Sequence, residues 1–351
     1  MSVSSSGKKR ILIVDDSSFM RMLIHDILSK DPSLEIVGTA VNGVEGVEKA
    51  ISLKPDLITM DIEMPKMDGI SALRQIMATA PTKVIMVSTL TTEEARSTFE
   101  ALDAGAIDYI PKNLTNSSDA RNIFRQELAR KVNEAMNLRL AWNAPLLAPP
   151  FLLNSKLPKK KIKCVGIGAS TGGPAALQEV LSRIPANFPH GIIAGIHMPK
   201  VFTGTYAERI NSKCSITVRE AVDGDILKAG LALITPGGAH TILVRSAKNI
   251  AVKIVSASDY PQHIYVPSLD LMISSMAEVT DGSMLGVILT GMGNDGVKGM
   301  KLLKSMGGAT IVQDEASSAI YGMPKACAES GVADEILPLD QIGFEISKFT
   351  E

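Results

Sequence analysis

The chain has 351 residues, 45% of them hydrophobic and 21% charged, an ordinary soluble globular make-up that at roughly 100–200 residues per domain points to two domains. A formal net charge of −1 and an aromatic share of 4% supply neither a basic field for nucleic acid or anionic membrane nor a stacking surface for bases. Cys164, Cys214 and Cys327 are too far apart for a metal motif or a disulfide framework, which suits buried thiols in a reducing compartment.

The leading MSVSSSGKKR lacks the apolar stretch of a secretory signal. No segment approaches the ~18 uninterrupted apolar residues of a membrane span. A cytoplasmic protein with no membrane insertion is expected. Apolar runs at residues 11–14, 35–40, 57–60, 83–87 and 106–110 alternate with helical periodicity at 19–29, 44–53 and 70–77, and a further helix is expected at 119–137. That alternation predicts a doubly wound α/β domain with a five-stranded parallel sheet. Pro145, Pro149, Pro150 and Pro158 then exclude continuous helix or central strand, and Lys159–Lys163 follow as a solvated charge run. Residues 136–161 are expected to be a linker. From residue 162 a second α/β domain is expected, mainly parallel, with strands at 164–167, 192–196, 285–289 and 309–312. Its shorter β-like segments between 215 and 255 read as an inserted hairpin region.

Open α/β sheets gather ligands at the carboxyl ends of their strands. In the first domain those ends carry Asp15-Asp16, Asp61 and Ser88, with Lys112 after the fifth strand. Three converging carboxylates repel one another unless a cation neutralises them, and oxygen-only ligands favour Mg²⁺. One carboxylate can then attack a phosphoryl donor while Lys112 and the metal steady the developing charge. The segments ILIVDDSSFMR, ITMDIEMPKMDG, VIMVSTLT and GAIDYIPK resemble the receiver domain of two-component response regulators over about residues 9–135. The resemblance implies Asp61 as phosphoacceptor, Asp15, Asp16, Asp61 and the carbonyl of Glu63 around Mg²⁺, Ser88 and Tyr109 as the switch pair, and Lys112 as the phosphate contact. Receivers usually carry proline after that lysine; here Pro111 precedes it and Asn113 follows.

The second domain opens with a strand, a glycine-rich turn and a helix start, Val165 to Pro174. The turn fits a dinucleotide loop or a nucleophile elbow presenting Ser170. The next strand ends in His197 rather than the acidic residue a ribose would need, which favours the elbow, because a serine hydroxyl requires a neighbouring base. Asp295, at a third strand end within Thr290–Gly296, is the candidate to orient that base. The chain order Ser–His–Asp disfavours the α/β-hydrolases.

GIGASTGGP, HMP, TPGGAH, PSLD, LTGMGNDG and QDEASSAIYGMPKA together resemble the chemotaxis protein-glutamate methylesterases over residues 162–348. The resemblance implies Ser170 as nucleophile, His197 as general base, Asp295 as orienter, and the backbone N–H groups of Thr171 and Met292 around the oxyanion. No cofactor is implied for hydrolysis. It implies methyl-accepting chemotaxis receptors as substrates, glutamine deamidation as a second activity and a chemotaxis histidine kinase as phosphodonor. Domain order and the proline-rich strap add the expectation that the unphosphorylated receiver packs over the catalytic cleft and that aspartyl phosphate shifts the domains apart. Val266 stands where arginine is expected, and His240 is expected to line the mouth of the site. A DNA-binding output would need a shorter basic domain after the linker, and an oxidoreductase would bind a nicotinamide cofactor.

Overall fold

In the computed structural model of the chain, the described residues are 7–89, 91–112, 118–137 and 161–349. The chain divides into two compact units, Met1–Asn143 and Ala144–Glu351. The expected linker lies outside the described residues except at its ends, and so does Asn113.

In the first unit the apolar runs become strands β1 (Lys9–Val14), β2 (Leu34–Ala40), β3 (Leu57–Asp61), β4 (Lys83–Ser88) and β5 (Asp108–Pro111). They form one parallel sheet in the order β2-β1-β3-β4-β5. A parallel sheet covered on both faces needs strands apolar on both faces, as β1, β3 and β4 are. Helices Ser18–Leu28, Gly43–Leu53 and Gly69–Thr79 start where Ser17, Asn42 and Asp68 accept the backbone N–H of Met20, Glu45 and Ser71, at 3.4, 3.0 and 2.8 Å. Ile11, Ile13, Ile24, Leu57, Phe124 and Leu128 close one core face. Each fully buried side chain of this kind contributes about 1.5–3 kcal/mol.

The second unit holds β6 (Cys164–Ala169), β7 (Gly191–Ile196), β8 (Thr217–Glu220), β9 (Leu231–Ile234), β10 (Ala239–Ser246), β11 (Asn249–Ser256), β12 (Met284–Ile288), β13 (Ala309–Gln313) and β14 (Glu335–Leu337). Its parallel sheet runs β14-β13-β12-β6-β7-β9-β8, and β10-β11 is a separate antiparallel hairpin. The expected hairpin region is therefore only partly a hairpin. β8 and β9 extend the main sheet, and four residues are too few for periodicity to reveal a parallel partner. β14, three residues long, escaped the sequence reading for the same reason.

Cys164 and Cys327 are buried and Cys214 is half-buried; burial pushes their thiols up to about 12, about 12 and about 11. Among the described residues, no helix is long and apolar enough to cross a membrane.

Candidate functional site

Strands β12, β6 and β7 are neighbours, so the loops at their carboxyl ends meet although they lie far apart in the chain. After β6, Ser170 enters the turn that Gly172, in the left-handed region at φ 74°, makes into helix Gly173–Ser182. Pro174 occupies the first turn of that helix, where its missing N–H costs nothing. The Ser170 N–H donates to the Thr290 carbonyl at 3.0 Å, tying the β6 loop to the β12 loop.

The chain of polar contacts is continuous. His197 Nδ1 lies 3.0 Å from Ser170 Oγ, and His197 Nε2 lies 2.9 Å from Asp295 Oδ2. Burial pushes the Asp295 carboxyl up, but hydrogen bonds from His197 and the backbone N–H groups of Leu269 and Asp270 outweigh it and hold it below the usual range. An ionised Asp295 can only accept, so Nε2 carries the ring hydrogen. Nδ1 is then the lone pair that faces the Ser170 hydroxyl. This is the reverse of the Nε2-to-serine arrangement of the chymotrypsin triad.

Asp295 is 3% exposed and accepts from several donors. Oδ2 also accepts from Leu269 N at 2.8 Å, and Oδ1 accepts from Asp270 N at 2.9 Å and Gly296 N at 3.1 Å. The first two donors open helix Leu269–Thr280, whose positive end favours the charge. Tyr265 stacks flat on His197, ring centroids 4.9 Å apart and planes 6° apart.

Gly291 abuts Ser170. A Cβ there would stand 2.7 Å from Ser170 Cβ and 2.5 Å from Met323 Sδ. Thr290 anchors the same turn. Its N–H donates to Gln313 Oε1 at 2.7 Å, its hydroxyl donates to the Thr171 carbonyl at 3.0 Å, and that hydroxyl accepts from Ile320 N at 2.8 Å. Thr171 is buried beside Ser170, and Met292 is 38% exposed at the rim. His240 is a correction: at 0% exposure it does not line the mouth. Its Nδ1 accepts the Ser268 N–H at 3.0 Å. Val266 precedes Pro267 in a cis bond.

The supporting residues Tyr265, Ser268, Thr290 and Gln313 were missed at the sequence level. PSLD carried a usable signal, a serine poised to cap the helix that follows; the contacts of the other three depend on strand order.

In the first unit, parallel pairing brings the carboxyl ends of β1, β3, β4 and β5 to one edge. Asp15, Asp16 and Asp61 each offer an oxygen within 4.8 Å of the others. Lys112 Nζ lies 2.7 Å from Asp61 Oδ2 and 3.0 Å from Asp15 Oδ2. Burial, and then the Asp15 charge, push the Asp61 carboxyl up to about 6 against the pull of Lys112. Burial raises Asp15 too.

Asp15 Oδ2 is buried and accepts no well-directed hydrogen bond, although Lys112 stands at ion-pair range. All-oxygen donors with an unsatisfied buried carboxylate oxygen fit a hard divalent cation. Asp16, Asp61, Glu63, Thr89 and Lys112 line a cleft of about 560 Å³. Ser88 Oγ accepts from Thr98 Oγ1 at 3.0 Å and donates to the Thr89 carbonyl at 3.1 Å. Tyr109 is buried on β5, with Lys131 Nζ 5.0 Å from its ring centre. Gly69 permits a close approach, since a Cβ there would fall 1.8 Å from the Asp61 carbonyl oxygen.

Comparison with known proteins agrees with both units. The family model described as CheB methylesterase matches residues 165–346, and that of the response regulator receiver domain matches residues 11–137. The protein-glutamate methylesterase/protein-glutamine glutaminase 1 of Geobacter sulfurreducens is 60% identical over 98% of each chain. A counterpart numbered 5 in Geobacter metallireducens is 60% identical over 97% of each. The crystal structure of the Thermotoga maritima CheB methylesterase catalytic domain is 36% identical, with TM-score 0.51, over 53% of this chain and 98% of that one. The chain therefore belongs to the CheB methylesterase family, with a response regulator receiver domain ahead of its catalytic domain.

Proposed function

We propose that this chain hydrolyses glutamyl methyl esters on chemoreceptors, releasing methanol, and deamidates receptor glutamines, with Ser170 as nucleophile, His197 as general base and Asp295 as its orienter. The observation that carries the reading is the unbroken contact chain of 3.0 and 2.9 Å across three adjacent strand ends. Ser170 Oγ attacks the ester carbonyl as its proton passes to His197 Nδ1, and the imidazolium is steadied by Asp295. The protonated ring then returns that proton to the departing methoxide. Water, deprotonated by the same ring, releases glutamate from the acyl-enzyme. The N–H groups of Thr171 and Met292 are assigned to the oxyanion. Thr171 follows the nucleophile directly, and Met292 follows Gly291, which packs on Ser170.

Asp61 is the proposed phosphoacceptor and Lys112 the phosphate contact, with a chemotaxis histidine kinase as donor. Ser88 and Tyr109 are kept as the switch pair. Asp15, Asp16, Asp61 and the Glu63 carbonyl would hold Mg²⁺, which offsets charge on the transferring phosphoryl group when bound. The proposed boundaries are 9–135 for the receiver, 136–161 for the linker and 162–348 for the catalytic domain, and the proposed location is the cytoplasm. Methanol release from methylated receptor membranes tests the hydrolytic reading: the wild type releases it, and release by Ser170→Ala at a comparable rate rules out the serine mechanism.

A further inference from the structure

We infer that His263 is a proton-sensitive positioning residue, whose charge sets which way the Ser268 hydroxyl points and thereby how firmly Asp295 holds His197. The inference rests on the triad assignment above and adds to it a regulator outside the triad.

Ser268 stands between two groups that compete for its single hydrogen. Its Oγ lies 2.9 Å from His263 Nδ1 and 3.4 Å from Asp295 Oδ1. The same oxygen already accepts the Leu271 N–H at 3.2 Å, as the cap of helix Leu269–Thr280. One lone pair and one hydrogen remain. When His263 offers a lone pair at Nδ1, the hydroxyl hydrogen goes to it, the shorter contact, and Asp295 receives nothing from Ser268. When His263 is protonated, Nδ1 becomes a donor. It takes the free lone pair, and the hydroxyl hydrogen has only Asp295 Oδ1 left to serve. Asp295 then gains a hydrogen bond and a cation one residue away. Both weaken it as an acceptor for His197 Nε2–H, and with it the support of the imidazolium formed during attack.

The titratable groups seen to face His263 are His240, Tyr260 and Asp295. His240, on β10, has its ring centre 5.8 Å away and is fully buried. Its Nδ1 is occupied by the Ser268 N–H, and burial, followed by the His263 charge, disfavours its protonated form. Tyr260 is 6.3 Å away, centre to centre, and Asp295 lies beyond Ser268. His263 is half-exposed, so its ring is open to protons from solvent. Acidification therefore slows attack by Ser170 through this relay.

The test is the rate at which a fluorophosphonate labels Ser170 in the full-length protein across pH, with labelling of Ser170→Ala as the control. The ratio of His263→Gln to wild-type rates should rise at least about threefold from pH 8 to pH 5.5, since glutamine keeps a hydrogen-bonding group but cannot titrate. A flat ratio overturns the relay while leaving the triad intact; equal labelling of Ser170→Ala overturns the triad instead. A readout free of substitution comes from ¹⁵N-histidine NMR of the wild type. The proton on His197 Nε2 should show a step at the midpoint of the His263 ring nitrogens, and the lack of any step there overturns the proposal.

Discussion

Asp295 distributes its two oxygens over one imidazole and three backbone N–H groups. Asparagine in its place would have to turn an NH₂ toward one of these donors, so Asp295→Asn should reverse the His197 tautomer. Methanol release should fall by about 10⁴, and Ser170→Ala should cost at least as much, both measured as turnover on methylated receptor membranes. At Asp61 the sign is set by a carboxyl raised from 3.8 to about 6. Its contribution to receiver stability is fully present below the unfolded value and is lost as pH climbs through about 6. Asp61→Asn should therefore stabilise the receiver by about 2–3 kcal/mol at pH 8 without Mg²⁺, and urea unfolding followed at pH 4 and pH 8 should show the gap only at the higher pH. Ser170, His197 and Asp295 were legible because each lies past the carboxyl end of a strand, the first two directly after β6 and β7 and the third in the loop after β12. Tyr265 and Ser268 were not. They reach the site through a loop and a helix start whose placement follows from strand order, which local pattern does not encode.

At the level of turns and strands, the site depends on two loops lying against each other without a side chain between them. Gly291→Ala would push a methyl group into Ser170 Cβ and Met323 Sδ, so turnover should fall by about 10²-fold or more while the fold persists. Circular dichroism alongside the methanol assay separates the two effects. Thr290 is the subtler case. Valine keeps its shape but loses the bonds to the Thr171 carbonyl and from Ile320 N, so Thr290→Val should lower kcat by about tenfold with little change in KM. Among the described residues, the long buried strands were readable from their apolar runs alone, as β1, β3, β4, β6, β7 and β12 show. β8 and β9 were misread as hairpin because a four-residue segment shows neither its partner nor its direction until the sheet forms.

For the whole chain, the question is whether a phosphoryl group on the first unit, as proposed, governs hydrolysis on the second. A crystal structure exists for the catalytic domain of the Thermotoga maritima relative. A fragment spanning Ala144–Glu351 of this chain is thus a reasonable reference for uninhibited activity. The full chain without a phosphodonor should be slower than this fragment, and acetyl phosphate with Mg²⁺ should recover most of the difference. A 100-fold gap would correspond to about 2.7 kcal/mol of differential stability. Equal rates without phosphodonor would show that the receiver does not restrain hydrolysis. The order of the strands has a further consequence for biosynthesis. β6 and β7 lay down Ser170 and His197 early, but the strand that delivers Asp295 must insert on the far side of β6, and Asp295 itself lies 98 residues beyond His197. A chain still on the ribosome carries an alcohol and a ring with nothing to hold them in register, so the nascent enzyme stays chemically silent until that late strand is threaded home.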